Sequence, residues 1–206
     1  MIIKTSDGFE LDSDFQQKDS DKCVVFAHGI TVNKDEEGIF VRACSKLNKL
    51  NISTLRFSFR GHGKSSGESK DDFSISGQLT DLDAVMSFVR SKGMEIIGLA
   101  GASFGGGASS LYAGSHLDEI DALFLANPVL DYTKAFLKPT TSWAKKHFTN
   151  LKETVERDGC KEIGSRKFAI GMKLVEEMSV YRPDLELEKY QRPILVAHGT
   201  EDTKVA

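Results

Sequence analysis

Ser103 stands at the centre of Gly101-Ala102-Ser103-Phe104-Gly105, a G-x-S-x-G pattern whose meaning depends on what flanks it. The apolar run Glu95-Ile96-Ile97-Gly98-Leu99-Ala100 precedes it, and Gly106-Gly107-Ala108-Ser109-Ser110-Leu111-Tyr112-Ala113 follows. That order predicts a strand, a tight turn and a helix, with the serine on the turn. A residue so placed is held in a strained backbone conformation, and its neighbours must be small to let the chain bend. The helix start supplies free N–H groups and a positive dipole end where an oxyanion would form. The chemistry this setting serves is nucleophilic attack by the hydroxyl.

A serine hydroxyl is a poor nucleophile at neutral pH and needs a base, itself oriented by a carboxylate. Asp202 suits the acid role. It lies in His198-Gly199-Thr200-Glu201-Asp202, just beyond the apolar run Ile194-Leu195-Val196-Ala197, and sites in α/β folds gather at the C-terminal ends of strands. Asp131, past the preceding strand, is a rival. An oxyanion needs two N–H donors. The backbone of Phe104 is one expected donor and that of Ile30, in His28-Gly29-Ile30-Thr31, the other. His28 itself is expected to stabilise that loop rather than to take part in chemistry.

The elements that must position these groups are legible in outline. Ile2–Lys4 and Phe9–Asp12 flank Ser6-Asp7-Gly8 as a short hairpin. Cys23–Ala27 has strand length and ends at His28-Gly29. The stretch 38–50 shows helical spacing, with Ile39, Ala43, Leu47 and Leu50 on one face. Residues 52–59 are strand-like and lead into the turn-rich segment 60–67. Ile75, Leu79, Leu82, Val85, Met86 and Val89 recur at helical intervals, with Asp81, Asp83 and Arg90 on the other side. Two further buried strands are expected at 122–126 and 194–197. Continuous apolar strands alternating with amphipathic helices imply a mostly parallel, doubly wound sheet covered on both faces.

Between Pro128 and Pro183 the alternation breaks down. That stretch is expected to be an insertion, at about 129–182, within a single domain spanning 1–206. It should be helical near Trp143–Val155, turning around Gly159–Ser165, and helical again over 170–178. Holding the only tryptophan, such an excursion can cover a site as a lid, or it can be an ordinary helical connection.

Four segments in this order resemble the α/β-hydrolase fold: His28-Gly29-Ile30-Thr31, Arg60-Gly61-His62-Gly63-Lys64-Ser65, the serine turn, and His198-Gly199-Thr200-Glu201-Asp202. The chain is similar in particular to the bacterial cinnamoyl/feruloyl esterase-like branch. The resemblance runs from about Phe9 onward. It implies an ester hydrolase working through an acyl-serine intermediate on aromatic or medium-chain acyl esters. Ser103 would be the nucleophile, Asp202 the acid, and the Ile30 and Phe104 amides the oxyanion donors, with the insertion as a cap. The family places its catalytic histidine after the acid. Here His28, His62, His116, His147 and His198 all precede Asp202, so a base, a last strand and a final helix are expected to be missing. His198 is read as structural. An unpaired sheet edge would then promote self-association. The alternative is a catalytically impaired fragment or a non-catalytic interaction protein that keeps the fold.

Composition narrows the remaining classes. Forty per cent hydrophobic and 28% charged residues describe an ordinary soluble globular chain. A net charge of -3 gives no electrostatic case for nucleic acid as a partner. No apolar run reaches membrane-spanning length, so no integral membrane association is expected. Cys23, Cys44 and Cys160 are odd in number and widely spaced, which reads as reduced thiols in a cytoplasmic protein. No cofactor is expected, and no metal, since the histidines and cysteines lack ligand spacing and Glu36-Glu37 and Asp71-Asp72 read as solvated loops. Gly63-Lys64-Ser65 mimics the end of a P-loop, but Ser58 stands where that motif needs glycine.

Overall fold

The computed structural model describes residues 1–164 and 167–205. In chain order the strands are β1 (Ile2–Lys4), β2 (Glu10–Gln16), β3 (Lys22–Ala27), β4 (Ser53–Phe57), β5 (Ile96–Ala102), β6 (Ala122–Ala126), β7 (Lys161–Ile163), β8 (Phe168–Ile170) and β9 (Ile194–Ala197). The helices are α1 (Ile39–Lys49), α2 (Ile75–Ser91), α3 (Ser103–Ser115), α4 (Ser142–Phe148), α5 (Leu151–Asp158), α6 (Met172–Glu177) and α7 (Pro183–Leu187). Seven strands form one sheet in the order β1-β2-β4-β3-β5-β6-β9. Only β1–β2 and β2–β4 pair antiparallel; the rest of the sheet is parallel. This is the mostly parallel α/β sheet expected from the sequence.

Fully buried Leu55 and Phe57 of β4, Ile97 of β5 and Val25 of β3 fill the centre, as continuous apolar strands require. At one end of the sheet, β9 is an edge strand among the described residues. Its Leu195 is 65% exposed and Val196 49% exposed. No helix is long and apolar enough to cross a membrane among the described residues. Cys23, Cys44 and Cys160 are free thiols, and burial pushes Cys23 up to about 12, which makes it inert as a nucleophile.

Two expected helix faces are corrected. On α1 the buried residues are Phe40 and Cys44, while Ile39 and Leu50 are 54% and 70% exposed. The Phe40 ring packs against Phe26 of β3 at 4.9 Å, and that contact rotates the helix away from the spacing of its aliphatic residues. On α2, Asp81 does not lie on the outer side: it is fully buried. Its Oδ2 accepts the Arg60 backbone N–H at 2.9 Å, and its Oδ1 accepts Arg60 Nε at 2.9 Å. The same guanidinium donates to Asp7 at 2.7 and 3.0 Å and lies 4.2 Å from the centre of the Phe9 ring. A cation at 60 is what draws the aspartate inward, and that dependence is invisible to periodicity.

The segment between β6 and β9 is also richer than expected. Its first helical region breaks into α4 and α5 at Asn150, whose φ is +57°. In place of a plain turn, β7 and β8 form an antiparallel hairpin; Ser165, the end of the expected turn, lies outside the described residues. The helix expected over 170–178 is α6, which begins at Met172, and α7, started by Pro183 at its first position, is a further short helix beyond it.

Removing Asp81 should leave the buried Arg60 guanidinium with the part-exposed Asp7 as its one remaining carboxylate and the Arg60 N–H without its acceptor. Asp81→Ala is expected to lower unfolding stability by about 3–5 kcal/mol, measured by urea denaturation. A loss below about 1 kcal/mol, the range of exposed pairs, would show that the pair is not structural.

Candidate active site

Ser103 follows the last residue of β5 and opens α3 with φ +50°, the left-handed conformation expected of a strained turn serine. The sequence forces this bend by bringing α3 hard against the end of β3. A Cβ on Gly105 would lie 2.3 Å from the His28 carbonyl oxygen and 2.4 Å from that of Ala27. Only glycine permits that approach. The bend is pinned from the other side by the Val129 N–H, which donates to the Ser103 carbonyl at 2.9 Å.

A cavity of about 420 Å³ opens over this turn. Ser103, Ile30 and Asp202 all line it, together with Glu36, Asn127 and an aromatic wall of Phe136, Trp143 and Phe148. Three of the four expected site residues therefore border one space. The fourth, Phe104, has a fully buried side chain, and only its backbone N–H, at the start of α3, is available for the role expected of it. Among the described residues neither the Ile30 nor the Phe104 amide donates to an acceptor.

Asp202 is fixed by its own loop. Its Oδ1 accepts the backbone N–H of Lys204 at 2.8 Å and of Val205 at 3.0 Å. Its Oδ2 stands 3.6 Å from His198 Nε2. His198 does not line the cavity, and Ser103 Oγ makes no hydrogen bond among the described residues. His147, from α4, does line it and packs on Trp143 at 4.4 Å. Sequence spacing gave no sign of this, because β6 and the segment before α4 decide where that helix sits. The rival Asp131 accepts the Lys134 backbone N–H at 3.0 Å and does not line the cavity.

His28 is structural, as expected. Its Nε2 accepts the Phe59 N–H at 3.0 Å, which puts the ring proton on Nδ1, 2.7 Å from the Gly29 carbonyl. Burial, with His62 close by, holds it well below the usual histidine range. His62 packs on Phe168 of β8 at 4.5 Å and edge-on to Phe73 at 4.6 Å. It thereby links the turn at 60–67 to the β7–β8 hairpin. The P-loop-like Ser65 is likewise structural: its Oγ donates to the Ser58 carbonyl at 2.6 Å and accepts the Asp12 N–H at 2.9 Å. Of the two glutamates read as a solvated loop, Glu37 is exposed, as expected, while Glu36 is half-buried and bonded to the loop after β3. Glu36 and Glu37 line the cavity, and Glu36 Oε2 accepts the Gly29 N–H at 2.7 Å. Among the described residues no group of His, Cys, Asp and Glu could hold a metal ion.

With this geometry in place, the comparisons with known proteins can be read. The hydrolase family Hydrolase_4, described as serine aminopeptidase, S33, matches residues 18–167. The chain belongs to this α/β-hydrolase family. No curated protein matches it. Among solved structures it is similar to Est1E from Butyrivibrio proteoclasticus with ferulic acid bound, at 24% identity and a TM-score of 0.81, covering 100% of this chain and 80% of that one. It is similar to the esterase EaEST from Exiguobacterium antarcticum at 18% identity and a TM-score of 0.73, covering 99% and 82%. The esterase Pf2001 from Pyrococcus furiosus follows at 22% and 0.70, covering 100% and 72%. At these identities the likeness shows a shared fold.

Burial lowers His62 from 6.5 to about 4. A histidine depressed in the folded state leaves stability intact above the unfolded value of 6.5. It removes that stability as pH falls toward the folded value, because the unfolded chain takes up the proton first. The loss between pH 6.5 and 4 should reach about 3 kcal/mol from His62, at 1.36 kcal/mol per unit. Urea midpoints across that range check it, and His62→Gln should flatten the slope. An unchanged slope in the variant would refute the assignment.

Proposed function

We propose that this α/β-hydrolase is a serine ester hydrolase in which Ser103 forms an acyl intermediate. The observation that carries the reading is the left-handed Ser103 at the foot of a cavity it shares with Ile30 and Asp202. In this reading Ser103 Oγ attacks the ester carbonyl carbon and its proton passes to water in the cavity that Asp202 also borders. The carbonyl oxygen becomes an oxyanion received by the Ile30 and Phe104 N–H groups. Collapse breaks the bond to the alcohol, which leaves with the proton. Water then cleaves the acyl-serine by the same steps in reverse order, releasing the acid. None of the five histidines is assigned here as the base.

The dimensions and lining of the cavity support a substrate with an aromatic or medium-chain acyl group. Its volume of about 420 Å³ falls in the ordinary range for small-molecule sites, and Phe136, Trp143 and Phe148 offer flat apolar surfaces. One similar structure holds ferulic acid, an aromatic acid of that kind. The same residues support reading the segment 129–182 as a cap, since the aromatic wall comes from it. The reduced, buried Cys23 and Cys44 fit a cytoplasmic enzyme.

A fluorophosphonate probe should label the protein, and p-nitrophenyl esters and methyl ferulate should be hydrolysed. Ser103→Ala should abolish labelling and lower hydrolysis by at least about 10³-fold. Labelling that survives the substitution would place the nucleophile elsewhere. No labelling of the parent protein would favour a non-catalytic role for the fold.

A further inference from the structure

We infer that Glu36 is the positioning residue of the oxyanion loop, holding Gly29 so that the Ile30 N–H keeps a fixed direction; this rests on the reading of Ile30 as an oxyanion donor. The geometry around Gly29 is a clamp with two jaws. Glu36 Oε2 accepts the Gly29 N–H at 2.7 Å from seven residues downstream. On the other side, His28 Nδ1–H donates to the Gly29 carbonyl at 2.7 Å. A trans peptide is planar, so its carbonyl and the next N–H point in opposite directions. Fixing the Gly29 carbonyl therefore fixes the Ile30 N–H. Fixing the Gly29 N–H removes the remaining rotation, which glycine would otherwise leave free.

The carboxylate reaches the loop at the nucleophile. A Cβ built on Gly29 would lie 3.2 Å from Ser103 Cβ and 3.5 Å from Glu36 Oε1. Loop, nucleophile and carboxylate thus share one contact region, and a side chain at 29 would press on Ser103 while touching Glu36.

The backbone is distorted to put the carboxylate there. Glu36 and Glu37 have φ of +43° and +52°, each an unfavourable conformation for a residue with a side chain, at roughly 1–3 kcal/mol. Such strain persists only where the surroundings over-determine it, and here they do. Asp35, one residue earlier, pairs with Arg56, which also pairs with Asp14. Lys34 pairs with Asp12, and its backbone N–H donates to Ser58 Oγ at 3.1 Å. The Asp35 and Glu36 N–H groups donate to Asn33, at 3.0 Å to its side chain and 2.9 Å to its carbonyl. The segment before Glu36 is anchored to β2 and β4, and what those anchors deliver is a carboxylate at Gly29.

The test uses the full 206-residue chain with p-nitrophenyl acetate as substrate and Ser103→Ala as the blank. Removing an oxyanion donor outright lowers kcat by about 10²–10³-fold. Loosening one should cost less, so Glu36→Ala is expected to lower kcat about 10–100-fold with KM within about threefold. Glu36→Gln, whose amide oxygen still accepts the Gly29 N–H, should restore kcat to within about threefold of the parent. Hydrogen exchange over residues 24–32 should speed up about tenfold or more in Glu36→Ala and not in Glu36→Gln, with both folded by circular dichroism. Equal kcat in parent and Glu36→Ala, a loss confined to KM, or a glutamine variant as impaired as the alanine one would overturn the inference. If the parent shows no Ser103-dependent turnover, the hydrolase reading falls, and unchanged exchange would separately overturn the role of Glu36.

Discussion

The left-handed backbone at Ser103 is the constraint around which the rest of the molecule is arranged. That conformation is unfavourable for a residue with a side chain by roughly 1–3 kcal/mol, and local sequence cannot hold it. It is held by tertiary contacts: α3 packed onto the carbonyls that end β3 at Gly105, and the Val129 N–H after β6 bonded to the Ser103 carbonyl. Parallel pairing of β3, β5 and β6 brings those three strand ends level. The sheet is thus the device that keeps one hydroxyl raised into a cavity.

A second layer of polar residues fixes the loops that leave the same strand ends. His28 joins the loop after β3 to the backbone after β4, and Arg60 ties the next turn to α2 through Asp81 and to the first hairpin through Asp7. Burial pushes Asp81 up to about 6, while the Arg60 hydrogen bond draws Asp7 down to about 2. The two carboxylates share one guanidinium from opposite environments. One is desolvated and the other is part exposed. Groups that look functional by type, two imidazoles and an ion triad, are here used to stop loops from moving. That stillness is what preorganised donors require.

Much of the frame was legible because it rests on local rules. The strand, turn and helix around Ser103 announce themselves through an apolar run followed by small residues, and the strands carry continuous apolar stretches. The same rules misplaced Asp81, because a charged residue at a helical position reads as solvated unless its partner, far away in sequence, is known. They also read Glu36 as solvated, although it accepts the Gly29 N–H and the two residues before it pair with β2 and β4. His147 escaped for a related reason: the path of a long connection is decided by what it packs against. Periodicity reports faces and lengths. It says nothing about which distant charge turns a side chain inward.

The turn at Ser103 also restricts which other residue could ever occupy it. Threonine carries an equivalent hydroxyl, and branching at Cβ makes a φ near +50° costlier for it, although Thr31 of this chain does adopt a φ of +70°. Cysteine keeps the unbranched Cβ and offers a sulfur nucleophile without disturbing the backbone. On this scaffold the backbone, and not only the chemistry of the side chain, therefore favours cysteine over threonine at this turn.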